Sequence, residues 1–250
     1  NLFMSFLDAI TADTFGQDVL DDSLANPLLM VSCLRDDVYD EDEVLVEKAP
    51  KVYESGGSLL QVRETAMEFL GKFNEENPQK QMELILFDDA LKHLLRISRY
   101  LEMPRGSGLL VGVGGSGKQS LTRLASYISR SMCCQIVLTK TYGLAALEED
   151  LRIMYRNAGW KRQPTTFLFT DSEIKDETFL EKINTVLMTG NIAGLFAKDE
   201  VLAITADLQG AFIKERPDLQ ENTANIFQFF IDNVRDNLHV ILCFSPMNPI

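Results

Sequence analysis

From Gly108 onward the chain alternates short apolar runs with longer amphipathic stretches. "GLLVGV" (Gly108 to Val113) reads as a buried strand, with Lys118 to Ser131 as the helix behind it. "QIVLT" (Gln135 to Thr139) predicts a second strand and Leu144 to Asn157 a second helix. "TTFLFTD" (Thr165 to Asp171) predicts a third strand, with Thr178 to Met188 helical after it. Asn222 to Asn237 reads as a long helix whose stripe of Phe227, Phe229, Phe230, Ile231 and Val234 is core, and "HVILCFS" (His239 to Ser245) as a last strand. Apolar runs of this length, separated by longer helices, imply βαβ units and a parallel sheet covered on both faces. The expected fold class is α/β.

Upstream of Gly108 the pattern is uneven and mainly helical. Leu2, Phe3, Phe6, Leu7 and Ile10 form an amphipathic opening. "DDVYDEDEV" (Asp36 to Val44) packs like charges that repel and extend, which describes a solvated loop better than a cation site. Leu59, Leu60, Val62, Ala66, Phe69, Leu70 and Phe73 recur at helical spacing between Ser58 and Asn74. A further helix is expected from Leu84 to Leu101, with Asp88, Lys92, Arg96 and Arg99 on its polar face and Pro104 and Gly106 ending it.

Composition narrows the function classes. With 250 residues, 46% of them apolar, the chain can bury one sizeable core. A net charge of -13 disfavours a nucleic-acid or anionic-membrane surface, which needs clustered Lys and Arg. No apolar run approaches the roughly 20 residues that span a bilayer. Cys33, Cys133, Cys134 and Cys243 show neither metal-site spacing nor a disulfide framework, so reduced, buried thiols of a cytosolic-type compartment are expected, the adjacent pair at a helix-to-strand turn. His93 and His239 have no partner at metal spacing. The opening at Asn1 and the stop after an apolar run suggest a piece of a longer polypeptide.

The candidate chemistry lies in "GVGGSGKQS". In G-x-x-x-x-G-K, here Gly112, Gly117 and Lys118, glycines let the backbone curl so that successive N–H groups face phosphate oxygens. The helix that follows adds its N-terminal dipole, and the Lys118 ammonium reaches the β- and γ-phosphates as a point charge. The string alone is common; its place between an apolar strand and a helix is the context that the motif demands. Gly112, Val113, Gly114, Gly115, Ser116, Gly117, Lys118, Gln119 and Ser120 are the candidate residues for binding ATP or ADP, with Mg2+ as a potential companion. A glycine-rich structural turn is the alternative.

Asp171 ends the third strand, where an acid would hold magnesium through water. A hydrolysing site usually carries a glutamate next; here that residue is Ser172, and Glu173 lies one position further. Strand side chains alternate, so Glu173 can act as a catalytic base only if the chain turns there, and is otherwise a solvated capping or surface carboxylate. Gln119 stands where Ser or Thr would give magnesium a compact hydroxyl, and magnesium demands near-octahedral geometry at about 2.0 to 2.1 Å. Ser120 is rotated about 100° around the helix. Gln119 and Asp171 are therefore the metal-side candidates. Ser245 is the candidate sensor of the γ-phosphate, with Asn248 second, since Pro246 must end the strand. The expected site holds nucleotide and hydrolyses it slowly or not at all.

Together, "GVGGSGKQSLTRLA" (Gly112 to Ala125), "FLFTDSEI" (Phe167 to Ile174), "FLEKINTVLMTGNIAGLF" (Phe179 to Phe196) and "NVRDNLHVILCFSP" (Asn233 to Pro246) resemble axonemal dynein heavy chains, most closely the fourth AAA+ module of their motor ring. The resemblance covers Leu84 to Pro246 and implies a P-loop NTPase (AAA+) fold, a three-layer αβα sandwich with a central parallel sheet, plus a mainly helical N-terminal segment. Residues 1–50 would be the end of a preceding module or a linker with an acidic loop, and residues 51–250 the AAA+ large subdomain without its small helical lid. The phosphate-loop residues carry over to Gly112 through Gln119, the magnesium-side acid to Asp171 and the sensor strand to Val240 through Ser245.

The implied function is ATP or ADP binding that regulates an ATP-driven, minus-end-directed microtubule motor. Its partners would be neighbouring AAA+ modules of the same heavy chain, microtubules through a stalk outside these residues, and dynein intermediate and light chains, with no nucleic acid and no membrane. The implied location is cytoplasm and cytoskeleton, in the axoneme of a cilium or flagellum. Competent modules of the family carry Ser or Thr at the Gln119 position and Glu at the Ser172 position, so the module's own hydrolysis is in doubt. An active ATPase module of another AAA+ machine, with Glu173 and Ser120 in the missing roles, and a structural ring segment with an empty loop are the alternatives.

Overall fold

The computed structural model describes residues 2–18, 29–35, 38–40, 45–47 and 49–246. In it the apolar runs become one parallel sheet of four strands: β1 (Gly108–Val111), β2 (Met132–Gln135), β3 (Thr165–Thr170) and β4 (Leu238–Phe244), in the order β1-β4-β3-β2. The last strand in sequence thus lies between the first and the third. Val111 stands opposite Phe244, and Thr170 opposite Cys243, so β1, β4 and β3 end side by side. Ligands of open α/β sheets bind at such carboxyl ends.

The described helices are α1 (Leu2–Phe15), α2 (Leu59–Glu76), α3 (Asp88–Glu102), α4 (Lys118–Ile128), α5 (Leu144–Tyr155), α6 (Glu177–Met188), α7 (Lys198–Glu215) and α8 (Thr223–Asn237). Every residue of β3 is buried, because helices cover both faces of the sheet. Phe167, Phe169, Leu238 and Val240 join one large cluster with Leu151, Ile183, Phe212 and Phe230 from α5 to α8. Leu168 and Ile241 alternate to the opposite face, where α4 packs and Thr122 Oγ1 lies 3.9 Å from Cys243 Sγ. Fully burying one such Phe contributes about 2 to 3 kcal/mol, so the sheet centre is the firmest part of this frame.

Several elements depart from the sequence reading. β2 spans Met132–Gln135 rather than Gln135 to Thr139, because its register starts at Met132 opposite Thr165; Cys133 and Cys134 are therefore strand residues. Cys133 is exposed, Cys33 and Cys134 are half-buried, and only Cys243 is buried, which corrects the expectation of buried thiols. Burial still pushes the Cys134 thiol up to about 11, keeping it protonated and unreactive. β1 is not a buried strand: Leu109 and Val111 are each 58% exposed, since β1 is an edge strand among the described residues. α3 starts at Asp88, not Leu84, with Asp88 and Asp89 favouring its positive end and Leu84 to Phe87 outside any helix or strand. α7 was not foreseen; it buries Ile204, Leu208 and Phe212 but exposes Leu202 and Ile213, which blurs its period.

The described residues fall into two compact units, Asn1–Lys72 with Leu86–Leu91, and Phe73–Ile85 with Lys92–Ile250. In the first, Met30–Val31 pairs antiparallel with Glu54–Ser55, and Arg35 binds Glu54 through both carboxylate oxygens at 2.9 and 3.1 Å. Leu2, Phe6, Leu7 and Ile10 of α1 are exposed. Val38–Tyr39 pairs with Leu45–Glu47 within and beside the acidic run; residues 36–37 and 41–44 of that run lie outside the described residues. The second unit contains the sheet. No helix among the described residues is long and apolar enough to cross a membrane.

Candidate nucleotide site

The Gly112 N–H donates to Phe244 O at 3.1 Å, the last rung before the chain leaves the sheet. Ser116 N closes a turn on Val113 O at 3.3 Å, and Leu121 N bonds Gly117 O at 2.8 Å to start α4. Gly115 (φ 75°) and Gly117 (φ 78°) occupy the left-handed region, where a side chain is strained. A Cβ added to Gly114 or Gly115 would meet nothing within 4 Å, whereas one on Gly112 would stand 3.0 Å from Ser116 Oγ. Lys118 bends over it: Nζ donates to Gly112 O at 2.6 Å, Val113 O at 2.9 Å and Ser116 Oγ at 3.2 Å. Leu84 flanks the loop, with its Cδ2 4.0 Å from where a Gly117 Cβ would stand.

After Thr170 the chain does turn, into a single 3-10 turn from Asp171 to Glu173. The Asp171 carboxylate accepts the Ser245 N–H at 2.8 Å. Hydrogen bonds from Ser245, helped by the Lys118 charge, hold its carboxyl below the usual range. Glu173 is carried back onto the strand end. One of its oxygens accepts the Thr170 N–H at 2.7 Å, the other accepts Gln135 Nε2 at 2.8 Å, and the residue is 5% exposed. Burial pushes its carboxyl up, partly offset by these donors. It is thus a capping carboxylate, but not a solvated one.

Arg123 lies behind the loop. Its Nη2 donates to Gln135 Oε1 at 2.6 Å and stands 3.4 Å from Gln119 Oε1. Gln119, the metal-side candidate on the loop, therefore faces a guanidinium. Ser120 instead lines a cleft of about 890 Å³ with Arg123, Tyr127 and Gln135. No group of three or more His, Cys, Asp or Glu residues able to hold a metal ion occurs among the described residues.

Of the residues expected from sequence, Gly112 to Gln119, Asp171 and Ser245 meet at the ends of β1, β3 and β4. Asn248 lies outside the described residues. His93 is exposed, and His239 is buried with Nδ1 2.7 Å from Gly106 O. Leu84, Arg123 and Gln135 were missed as site residues. The available signals were the acids at Asp88 and Asp89, which set the helix start past Leu84, and the i,i+4 spacing of Gln119 and Arg123.

Residues 82–250 match the family model for the P-loop containing dynein motor region D4. The chain belongs to that family. It is a dynein AAA+ P-loop domain of α/β fold, and domains of this kind bind nucleotide in general. It is 48% identical to dynein axonemal heavy chain 5 of Rattus norvegicus over 198 residues, which is 79% of the chain and 6% of that protein. It is 44% identical to the dynein gamma chain, flagellar outer arm, of Chlamydomonas reinhardtii over 94% of the chain and 5% of that protein. Against dynein axonemal heavy chain 8 of Homo sapiens it is 41% identical over 98% of the chain and 6% of that protein. This dynein domain thus spans only a small part of the length of these relatives.

Proposed function

We propose that this chain is the fourth AAA+ module of an axonemal dynein heavy chain, that it holds ATP or ADP, and that it hydrolyses the nucleotide weakly or not at all. In this reading residues 51–250 are the large subdomain and residues 1–50 the end of the preceding module or a linker. The observation that carries it is the phosphate loop. A glycine-lined turn with an ammonium bent over it, with free space beside Gly114 and Gly115, fits a polyphosphate.

Gly112 to Lys118 would hold the phosphates, their amide hydrogens and the Lys118 ammonium replacing the loop's internal bonds. A bound triphosphate would supply a phosphoanhydride bond; the chain's own residues would grip it without providing a base. Ser172 has no carboxylate, and Glu173 is engaged at Thr170 and Gln135, where it positions the acid turn. Ser245 ties the end of β4 to Asp171 through its backbone, a coupling between the sensor strand and the acid.

The module would regulate ATP-driven, minus-end-directed movement on microtubules in cilia and flagella. Its partners would be the neighbouring AAA+ modules, microtubules through the stalk, and the intermediate and light chains. The axonemal setting rests on the names of the relatives, which are axonemal and flagellar dynein chains. The test is calorimetric titration of ATP and ADP into the chain and into its Lys118→Ala variant. Removing the ammonium is expected to weaken both about 100-fold, roughly 2.7 kcal/mol. Equal affinity in the two proteins would overturn the reading.

A further inference from the structure

We infer that this site holds its nucleotide without a divalent metal ion ligated by the protein, because the Gln119 amide oxygen faces Arg123 instead of a metal. The inference rests on the nucleotide reading above and specifies the form of the ligand: a nucleoside polyphosphate whose charge is met by the loop amides and Lys118.

Three observations carry it. First, the loop's would-be metal ligand is an amide oxygen 3.4 Å from the Arg123 guanidinium. That separation is long for a hydrogen bond, but it places a permanent positive charge beside the oxygen a metal would need. A dication brought there would be repelled.

Second, Arg123 is not a loose surface side chain. Gln135 Oε1 accepts from it at 2.6 Å, Gln135 Nε2 donates to Glu173 at 2.8 Å, and Glu173 accepts the Thr170 N–H at 2.7 Å. The guanidinium is therefore fixed by a chain of bonds that ends in the acid turn. It could leave Gln119 only by breaking a contact to a half-buried partner.

Third, the opposite side of the site offers a metal only one acid. Asp171 accepts the Ser245 N–H at 2.8 Å, and its carboxyl is stabilised in the charged form by that bond and by Lys118. Magnesium tolerates little departure from octahedral oxygen geometry, and this donor set offers it no compact hydroxyl on the loop helix. Lys118 is then the side-chain cation over the loop, while Arg123 occupies the neighbourhood of the oxygen a metal would need.

The experiment measures ADP and ATP affinity of the chain by calorimetry, once with magnesium chloride and once with EDTA. The same pair of titrations is run on Gln119→Thr, which restores a hydroxyl, and on Arg123→Met, which removes the charge. The unaltered chain is expected to change affinity less than about threefold between the two conditions, while each variant tightens tenfold or more when magnesium is present. A tenfold or greater loss on chelation in the unaltered chain would overturn the inference, as would variants that gain no magnesium dependence. Absence of binding in either condition would instead overturn the nucleotide reading itself. Gln119→Thr is a half-buried helix-start change that leaves the Arg123 to Gln135 bond in place, so the test survives if Arg123→Met fails to fold.

Discussion

The phosphate loop and the acid turn stand at the same end of the sheet, one strand apart, yet their polar groups are used in opposite ways. In the loop, the space beside Gly114 and Gly115 is open, and Lys118 bonds carbonyls and a hydroxyl of the loop itself. In the turn, both carboxylates are already engaged, Asp171 by the Ser245 N–H and Glu173 by Thr170 and Gln135. One segment keeps its groups ready for a ligand, and the other spends them on the fold. On the proposed reading, gripping a polyphosphate and cleaving it fall to different stretches of chain, so a sequence can retain the first while rewiring the second.

The largest test of this contrast breaks the turn. Glu173→Ala leaves the Thr170 N–H and the Gln135 amide without their acceptor in a buried place, which is expected to cost about 2 kcal/mol of stability in urea denaturation. Nucleotide affinity should stay within about threefold, and any ATP turnover should be unchanged. A stable variant that loses turnover would make Glu173 a base and erase the contrast.

How much of this was legible in the sequence follows the same division. The loop is contiguous, and its requirements are local: glycines at the left-handed positions and a lysine at the helix start. Nine consecutive residues, Gly112 to Ser120, therefore announced their geometry before any contact was known. The acid turn is a tertiary object. Glu173 could be read as base or cap because the deciding partner, Gln135, sits 38 residues away on β2. The sequence reading ended the preceding helix too late and began that strand three residues late, so it could not see Gln135 as a strand-end side chain. β3 was easy because six buried residues in a row leave no other element to choose, whereas α7 exposes Leu202 and Ile213 beside its buried Ile204, Leu208 and Phe212, which blurs its apolar face in the sequence.

A smaller effect sharpens the loop side. Gly114 has an ordinary φ, and a Cβ there enters open space, so Gly114→Ala is expected to leave stability unchanged or raise it by about 0.5 kcal/mol by restricting the unfolded chain. The same methyl group would stand where phosphate oxygens approach the backbone. ADP affinity should fall about tenfold, roughly 1.4 kcal/mol. A loop that is only a structural turn would show no such loss of affinity. The pair of variants thus separates the two regions in both directions: stability without binding at the turn, binding without stability at the loop.

The smallest effect is in pH, and it concerns the two carboxylates of the turn. Asp171 is held below its usual range, so the stability its charged form contributes is present above about pH 3.8 and is lost as pH falls through the lower folded value. Glu173 is pushed up by burial, so the stability it contributes is present below its ordinary value near 4.5 and is lost as pH rises through the raised folded value. The slopes are opposite in sign. Urea midpoints measured from pH 3 to 7 should show Asp171→Asn converging on the unaltered chain as acid is added, and Glu173→Gln gaining on it as acid is removed. Parallel slopes would mean that the two groups share one environment, and the turn would then be a solvated acidic pair open to a cation instead of a closed cap.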